Sequence, residues 1–151
     1  MDKALDSRLI AVGEKVTQRM RYSRADIAQF SRLSLDQNPL HLDSMVAQRA
    51  RFGEIVASGQ QTAAILMGML ATHFSRSDDG IGRQMICLNM NFSFKAPVFA
   101  EQELVLEWRV STITPNARLK GVVGLLDGHA AVAGGKPAVI ARGTILVSPA
   151  A

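Results

Sequence analysis

Two titratable side chains stand five positions apart around a proline in the segment Ser34-Leu35-Asp36-Gln37-Asn38-Pro39-Leu40-His41. A carboxylate and an imidazole that converge can take a proton from water and return it at neutral pH, the minimum equipment for adding or removing water. On a continuous helix a spacing of five sends the two to different faces. Asn38-Pro39 argues for a turn between them, because the residue before a proline disfavours helical geometry. The Asn38 amide can donate to a carboxylate and accept from a backbone N–H, and its main part is to shape that turn. For an isolated pair the plainer reading is the commoner one: Asp36 caps a turn and His41 is a surface or core histidine.

The elements around the pair follow from periodicity. Glu14 to Tyr22 alternates, imperfectly, as a strand. Ser23 followed by Asp26 resembles a capping box, opening a helix whose Ile27, Phe30 and Leu33 share a face and which delivers the chain to Asp36. Asp43 is a second N-cap, for a helix over 44–51 ended by Gly53. The main helix runs from Gly59 to Phe74, with apolar residues nearly all round it, so a sheet must enclose it. Ile86, Leu88, Met90, Phe92 and Phe94 alternate as one strand, and Leu104, Leu106, Trp108 and Val110 as the next. Two more, over 117–126 and 137–147, flank a loop beginning at Asp127-Gly128. Together these predict an α+β domain with an antiparallel sheet of about five strands around one helix.

Composition narrows the function. The 151 residues suit one domain, 1–151, and 48% apolar with 20% charged residues suits a packed core. One cysteine, Cys87, fits a reducing compartment and reads as a buried structural thiol. The first six residues mix charges and show no signal segment, and the longest apolar run, Thr62 to Phe74, is 13 residues, too short for a membrane span. The expectation is a cytoplasmic protein. Its net charge of +4 is scattered without aromatic alternation, which speaks against nucleic acid and leaves an anionic small ligand as the milder reading.

The string Asp36-Gln37-Asn38-Pro39-Leu40-His41 resembles the signature of the MaoC-like acyl dehydratases, the (R)-specific enoyl-CoA hydratase family. The resemblance continues through Arg51-Phe52-Gly53, Ile55-Val56-Ala57-Ser58-Gly59 and Asn91-Phe92-Ser93-Phe94-Lys95-Ala96-Pro97-Val98, most of the chain. It implies a hot-dog fold, pairing into a homodimer or higher homo-oligomer by sheet edges, and a place in fatty-acid metabolism. It also implies that Asp36 and His41 bind one water that adds across the double bond of an enoyl thioester. No metal or cofactor is implied beyond coenzyme A or an acyl-carrier protein as part of the substrate.

Hydration of such a thioester builds negative charge on its carbonyl oxygen, and the N-terminus of a helix offers donors for it. The resemblance places the backbone N–H of Gly59 in that role, with Ser58 capping the helix or donating to the substrate. Two departures stand beside the site: Leu35 where many relatives have glycine, and Ser58 where many have histidine. Gln60 and Gln61 replace a usual apolar pair, which implies a more polar or shorter acyl pocket. Arg49, Arg51 and Lys95 are candidates for coenzyme A phosphates, none singled out over ordinary solvated charge. His73 and His129 lack metal partners at useful spacing, and Ser34, Ser58 and Ser148 lack a nucleophile-elbow pattern. Two rivals to a hydratase remain: a hot-dog thioesterase, and a module that binds acyl thioesters without changing them.

Overall fold

Leu104, Leu106, Trp108 and Val110 all turn inward, and around that strand a five-stranded antiparallel sheet is built. The computed structural model describes residues 8–76 and 78–150, so the residues in which no signal segment was read lie outside the described part. In chain order the elements are β1 (Lys15–Met20), α1 (Arg24–Leu33), α2 (Pro39–Leu42), α3 (Ser44–Arg49), α4 (Gly59–His73), β2 (Arg83–Phe94), β3 (Leu104–Asn116), β4 (Gly121–Val132) and β5 (Pro137–Pro149). The sheet order is β1-β3-β4-β5-β2, so β1 and β2 are its edges. No helix among the described residues is long and apolar enough to cross a membrane.

The sheet curves because α4 has no polar face to give to water. Thr62, Ala63, Leu66, Met69 and Leu70 are buried against it, while small residues, Ala64, Gly68 and Ala71, are left exposed on the side that one layer of sheet cannot reach. Trp108 reaches from β3 to the middle of the helix, where its indole N–H donates to the Leu66 carbonyl at 2.8 Å. Room for the indole comes from the neighbouring strand: a Cβ on Gly128 would lie 2.5 Å from the ring. At the far end of α4, the Arg83 guanidinium donates to the carbonyls of His73 (3.4 Å) and Leu9 (2.5 Å). It thereby satisfies one of the α4 C-terminal carbonyls, which have no partner within the helix.

Several expectations are corrected here. Gly128 is not in a loop; Asp127-Gly128 lies inside β4, and the reversals fall at 117–120 and 133–136. The glycine serves packing against Trp108, and Asp127 pairs across strands with Arg142 at 3.2 Å. In β2 the alternation changes phase, because the register slips between Cys87 and Asn89. Met90 and Phe92 pack on the core as expected, whereas Ile86 (56% exposed) and Leu88 (47%) face outward. Before the slip it is Met85 and Cys87 that are half-buried, so Cys87 is not a fully buried thiol. On α1 the buried pair is Ile27 and Ser31, spaced by four, and Leu33 is exposed.

Gly128→Ala tests the packing role. Forcing a methyl against a fully buried ring is expected to cost about 2 kcal/mol or more, read from the urea midpoint. A change below about 0.5 kcal/mol, as at an unencumbered surface position, contradicts it.

Candidate active site

The chain reaches Asp36 from α1, whose capping box forms as read: the Ser23 hydroxyl accepts from the Asp26 N–H and the Asp26 carboxylate accepts from the Ser23 N–H. Those bonds, the backbone one first, hold the Asp26 carboxyl below its usual range. After the helix, Leu35 adopts φ +61, a left-handed backbone that favours glycine, with its side chain 83% exposed. A left-handed residue there turns the chain back so that the Ser31 hydroxyl donates to the Asp36 carbonyl.

Asn38 then caps the single turn of α2, its side-chain oxygen accepting from the Leu40 N–H at 3.1 Å, while its own N–H donates to Asp36 Oδ1 at 3.3 Å. The turn brings His41 Nε2 to 3.4 Å from Asp36 Oδ2. On the other side of the ring, His41 Nδ1 lies 2.6 Å from the Val56 carbonyl oxygen. A carbonyl only accepts, so Nδ1 carries the proton and donates. In the neutral ring Nε2 then presents a lone pair to the carboxylate.

The segment that holds His41 leads straight to the central helix. The Val56 N–H donates to Leu40 O (3.2 Å) and the Ala57 N–H to Val98 O (2.8 Å), just before Ser58 and Gly59 begin α4. Ser58 occupies the N-cap position, but its hydroxyl makes no capping bond. Gly59, as the first helical residue, has no intrahelical acceptor for its N–H. A Cβ there would lie 2.6 Å from the Phe94 ring, so the absent side chain lets Phe94 close one wall.

Asp36, His41, Ser58, Gly59 and Thr62 line one open cavity of about 670 Å³, a volume usual for small-ligand sites. Behind its wall the Thr62 hydroxyl is 2.9 Å from the buried Tyr22 hydroxyl. Gln60 is exposed on the cavity rim, but Gln61 is not in its wall. One residue further round the helix, it points toward α1, where its amide N–H donates to Asp26 O (3.4 Å) and its oxygen is buried without a partner. The expectation of a polar pocket therefore holds for Gln60 alone. His73 pairs with Glu14 at 2.8 Å at the opposite end of α4, and His129 lies half-buried on β4, not in a loop. Val56, Phe94 and the Tyr22–Thr62 pair are not singled out from sequence as site elements; Val56 and Phe94 carry a signal only as part of the resemblance.

One sheet closed on one helix is a hot-dog fold. A family model described as the MaoC like domain matches residues 9–125, and the chain belongs to that family. An (R)-specific enoyl-CoA hydratase from Aeromonas caviae is 31% identical over 109 residues, which are 72% of this chain and 77% of that protein. A mitochondrial 3-hydroxyacyl-[acyl-carrier-protein] dehydratase from Solanum lycopersicum is 27% identical over 107 residues, 71% of this chain and 60% of that one. Among solved structures, an (R)-hydratase from A. caviae involved in PHA biosynthesis superposes with a TM-score of 0.78 at 28% identity, covering 90% of this chain and 96% of that chain.

Burial pushes the Tyr22 phenol up to about 12, the bond to Thr62 offsetting part of the rise. The protein has a single tyrosine, so near-ultraviolet phenolate absorbance reports on it directly. A folded-state value above the unfolded value of about 10 means that the associated stability is intact below pH 10 and is lost as pH climbs from there toward 12. Ionisation near pH 10 in the still-folded protein contradicts this burial.

Proposed function

We propose that the cavity at Asp36 and His41 is a hydration site for thioesters, adding water to a 2-enoyl group or removing it from a 3-hydroxyacyl group carried by coenzyme A or an acyl-carrier protein. The chain is a hydro-lyase of the hydratase and dehydratase kind, as are the relatives named above. The observation that best supports the site assignment is the approach of His41 Nε2 to 3.4 Å from Asp36 Oδ2. With the ring neutral both atoms accept, and one donor can be shared between them. A water molecule is that donor: it gives one hydrogen bond to each and leaves its oxygen free to attack.

In this reading His41 Nε2 takes a proton as the water oxygen bonds to C3 of the enoyl group and returns that proton to C2, so that water is added whole and the ring ends neutral. Asp36 orients the water and offsets the charge of the protonated ring. Negative charge that builds on the thioester oxygen is met by the Gly59 N–H and the positive end of α4. Ser58, whose hydroxyl is not spent on capping, is placed to donate to the thioester, and Asn38 acts indirectly by fixing the turn. No further cofactor enters the reaction. The whole of 1–151 works as one such unit in the cytoplasm, as a homodimer or larger assembly joined along β2. That 12-residue edge strand leaves outward-facing Ile86 and Leu88 beside an unpaired ladder, a combination proteins normally cover. A monomer in sedimentation equilibrium at micromolar concentration argues against this assembly.

Crotonyl-CoA is expected to lose its conjugated-enoyl absorbance when the protein is added, without release of free thiol. Asp36→Asn is expected to lower kcat by about 10²- to 10⁴-fold at unchanged thermal stability. Full activity in that variant defeats the mechanism, and release of free thiol in place of hydration favours a thioesterase.

A further inference from the structure

The inner end of the site cavity is one pair of side chains thick. Thr62 lines the cavity, whereas Tyr22 lines a separate hollow of about 370 Å³ between α1 and α4, walled by Met20, Phe30, Leu33 and Ile65. Both residues are 1% exposed, and the 2.9 Å bond between their hydroxyls parts the two spaces. The bond is anchored on each side. Thr62 belongs to the first turn of α4, and the Tyr22 carbonyl accepts from the Glu101 N–H at 2.7 Å. Swinging Thr62 aside would leave two buried hydroxyls without a partner, which is costly. Next to it Val98 and Val139, both buried, also line the cavity.

We infer that Thr62, braced by Tyr22, is the stop that sets acyl length, and that the substrates are short-chain thioesters of about four carbons. The inference rests on the reading of the cavity as a thioester hydration site and adds the acyl group to it. Thr62 follows Gly59 by three residues, which places it about 4.5 Å further along α4. Its side chain leans back toward the helix start. A thioester whose oxygen is held at the Gly59 N–H has its acyl carbons directed along α4 toward Thr62, and three carbon–carbon bonds of about 1.5 Å each cover that distance. The fourth carbon therefore meets Thr62. A longer chain must displace a hydrogen-bonded pair or press on a packed wall, and overpacking of that kind is unfavourable. In this reading the shortness expected of the pocket comes from Thr62 and not from Gln61, which faces α1.

The test compares kcat/KM for crotonyl-CoA, 2-hexenoyl-CoA and 2-octenoyl-CoA. In the wild-type protein efficiency is expected to fall at each lengthening. Thr62→Ser keeps the bond to Tyr22 and removes one methyl group, and it is expected to raise the hexenoyl-to-crotonyl ratio about threefold, the worth of one more buried carbon. Thr62→Ala, which removes the hydroxyl as well, is expected to raise it about tenfold. Thr62→Val has the bulk of threonine without the hydroxyl and is expected to stay near the wild-type ratio. Wild-type efficiency that is level or rises from crotonyl-CoA to 2-octenoyl-CoA overturns the stop. So does an unchanged ratio in Thr62→Ser, or a valine variant that matches the alanine one. If the wild-type protein hydrates none of the three, it is the hydration reading that fails. Calorimetry with butyryl-CoA and octanoyl-CoA then tests the stop by itself: tighter binding of butyryl-CoA, by a margin that Thr62→Ser narrows, supports it, and octanoyl-CoA bound as tightly by the wild type overturns it.

Discussion

A helix with no polar face has to be enclosed, and the bond from the Trp108 indole to the Leu66 carbonyl is where the enclosure is anchored. Both residues are fully buried, so the bond forms in a low-dielectric setting where an unpaired indole N–H is costly. The surrounding sheet is cut to that contact. Gly128 on β4 leaves the ring its space, and Gly143 on β5 does the same for Met90 and the edge of the indole. With the middle of the helix pinned to β3 and the His73 carbonyl at its C-terminal end taken by Arg83, the helix start has little freedom left.

That fixed start defines the floor of the cavity. Ser58 and Gly59 follow directly on Val56 and Ala57, whose backbone groups bond to Val98 on one side and to the turn bearing His41 on the other. The imidazole is thus oriented by main chain belonging to the helix entry, and the same stretch sets both the ring and the exposed end of the helix dipole. Such coupling holds groups within a fraction of an ångström without long side-chain networks. Leu35 shows the cost accepted for it: a branched residue in a left-handed backbone, strained by about 1 kcal/mol, where the chain must turn sharply to deliver Asp36.

How much of this was legible in the sequence depended on whether a feature was local. β3 could be read because its inward residues, Leu104 to Val110, recur at every second position with Glu107 and Arg109 between them, and both N-caps could be read because the capping side chains sit within three residues of their targets. β2 misled because Met85-Ile86-Cys87-Leu88 is apolar at every position, so a slip at Leu88 leaves no mark in the pattern. Gly128 looked like a turn because a glycine needed for a distant ring is indistinguishable, in sequence, from one needed for its own backbone. At the site, the spacing of Asp36 and His41 around Asn38-Pro39 announced the pair correctly as neighbours. The Val56 carbonyl that fixes the ring had no signal, since a backbone acceptor has no residue type. Gln61 shows the opposite failure, a conspicuous side chain turned away from the cavity by one step of the helix.

In the mechanism proposed above, water held between Asp36 and His41 becomes the hydroxyl of a 3-hydroxyacyl thioester. The most direct measurement is mass spectrometry of the product formed from crotonyl-CoA in heavy-oxygen water. The expected product is an intact thioester carrying one heavy oxygen on C3, formed by the wild-type protein and not by Asp36→Asn or His41→Gln. Heavy oxygen found in a free carboxylate beside released coenzyme A, or a labelled hydroxyl formed equally well by both variants, contradicts it.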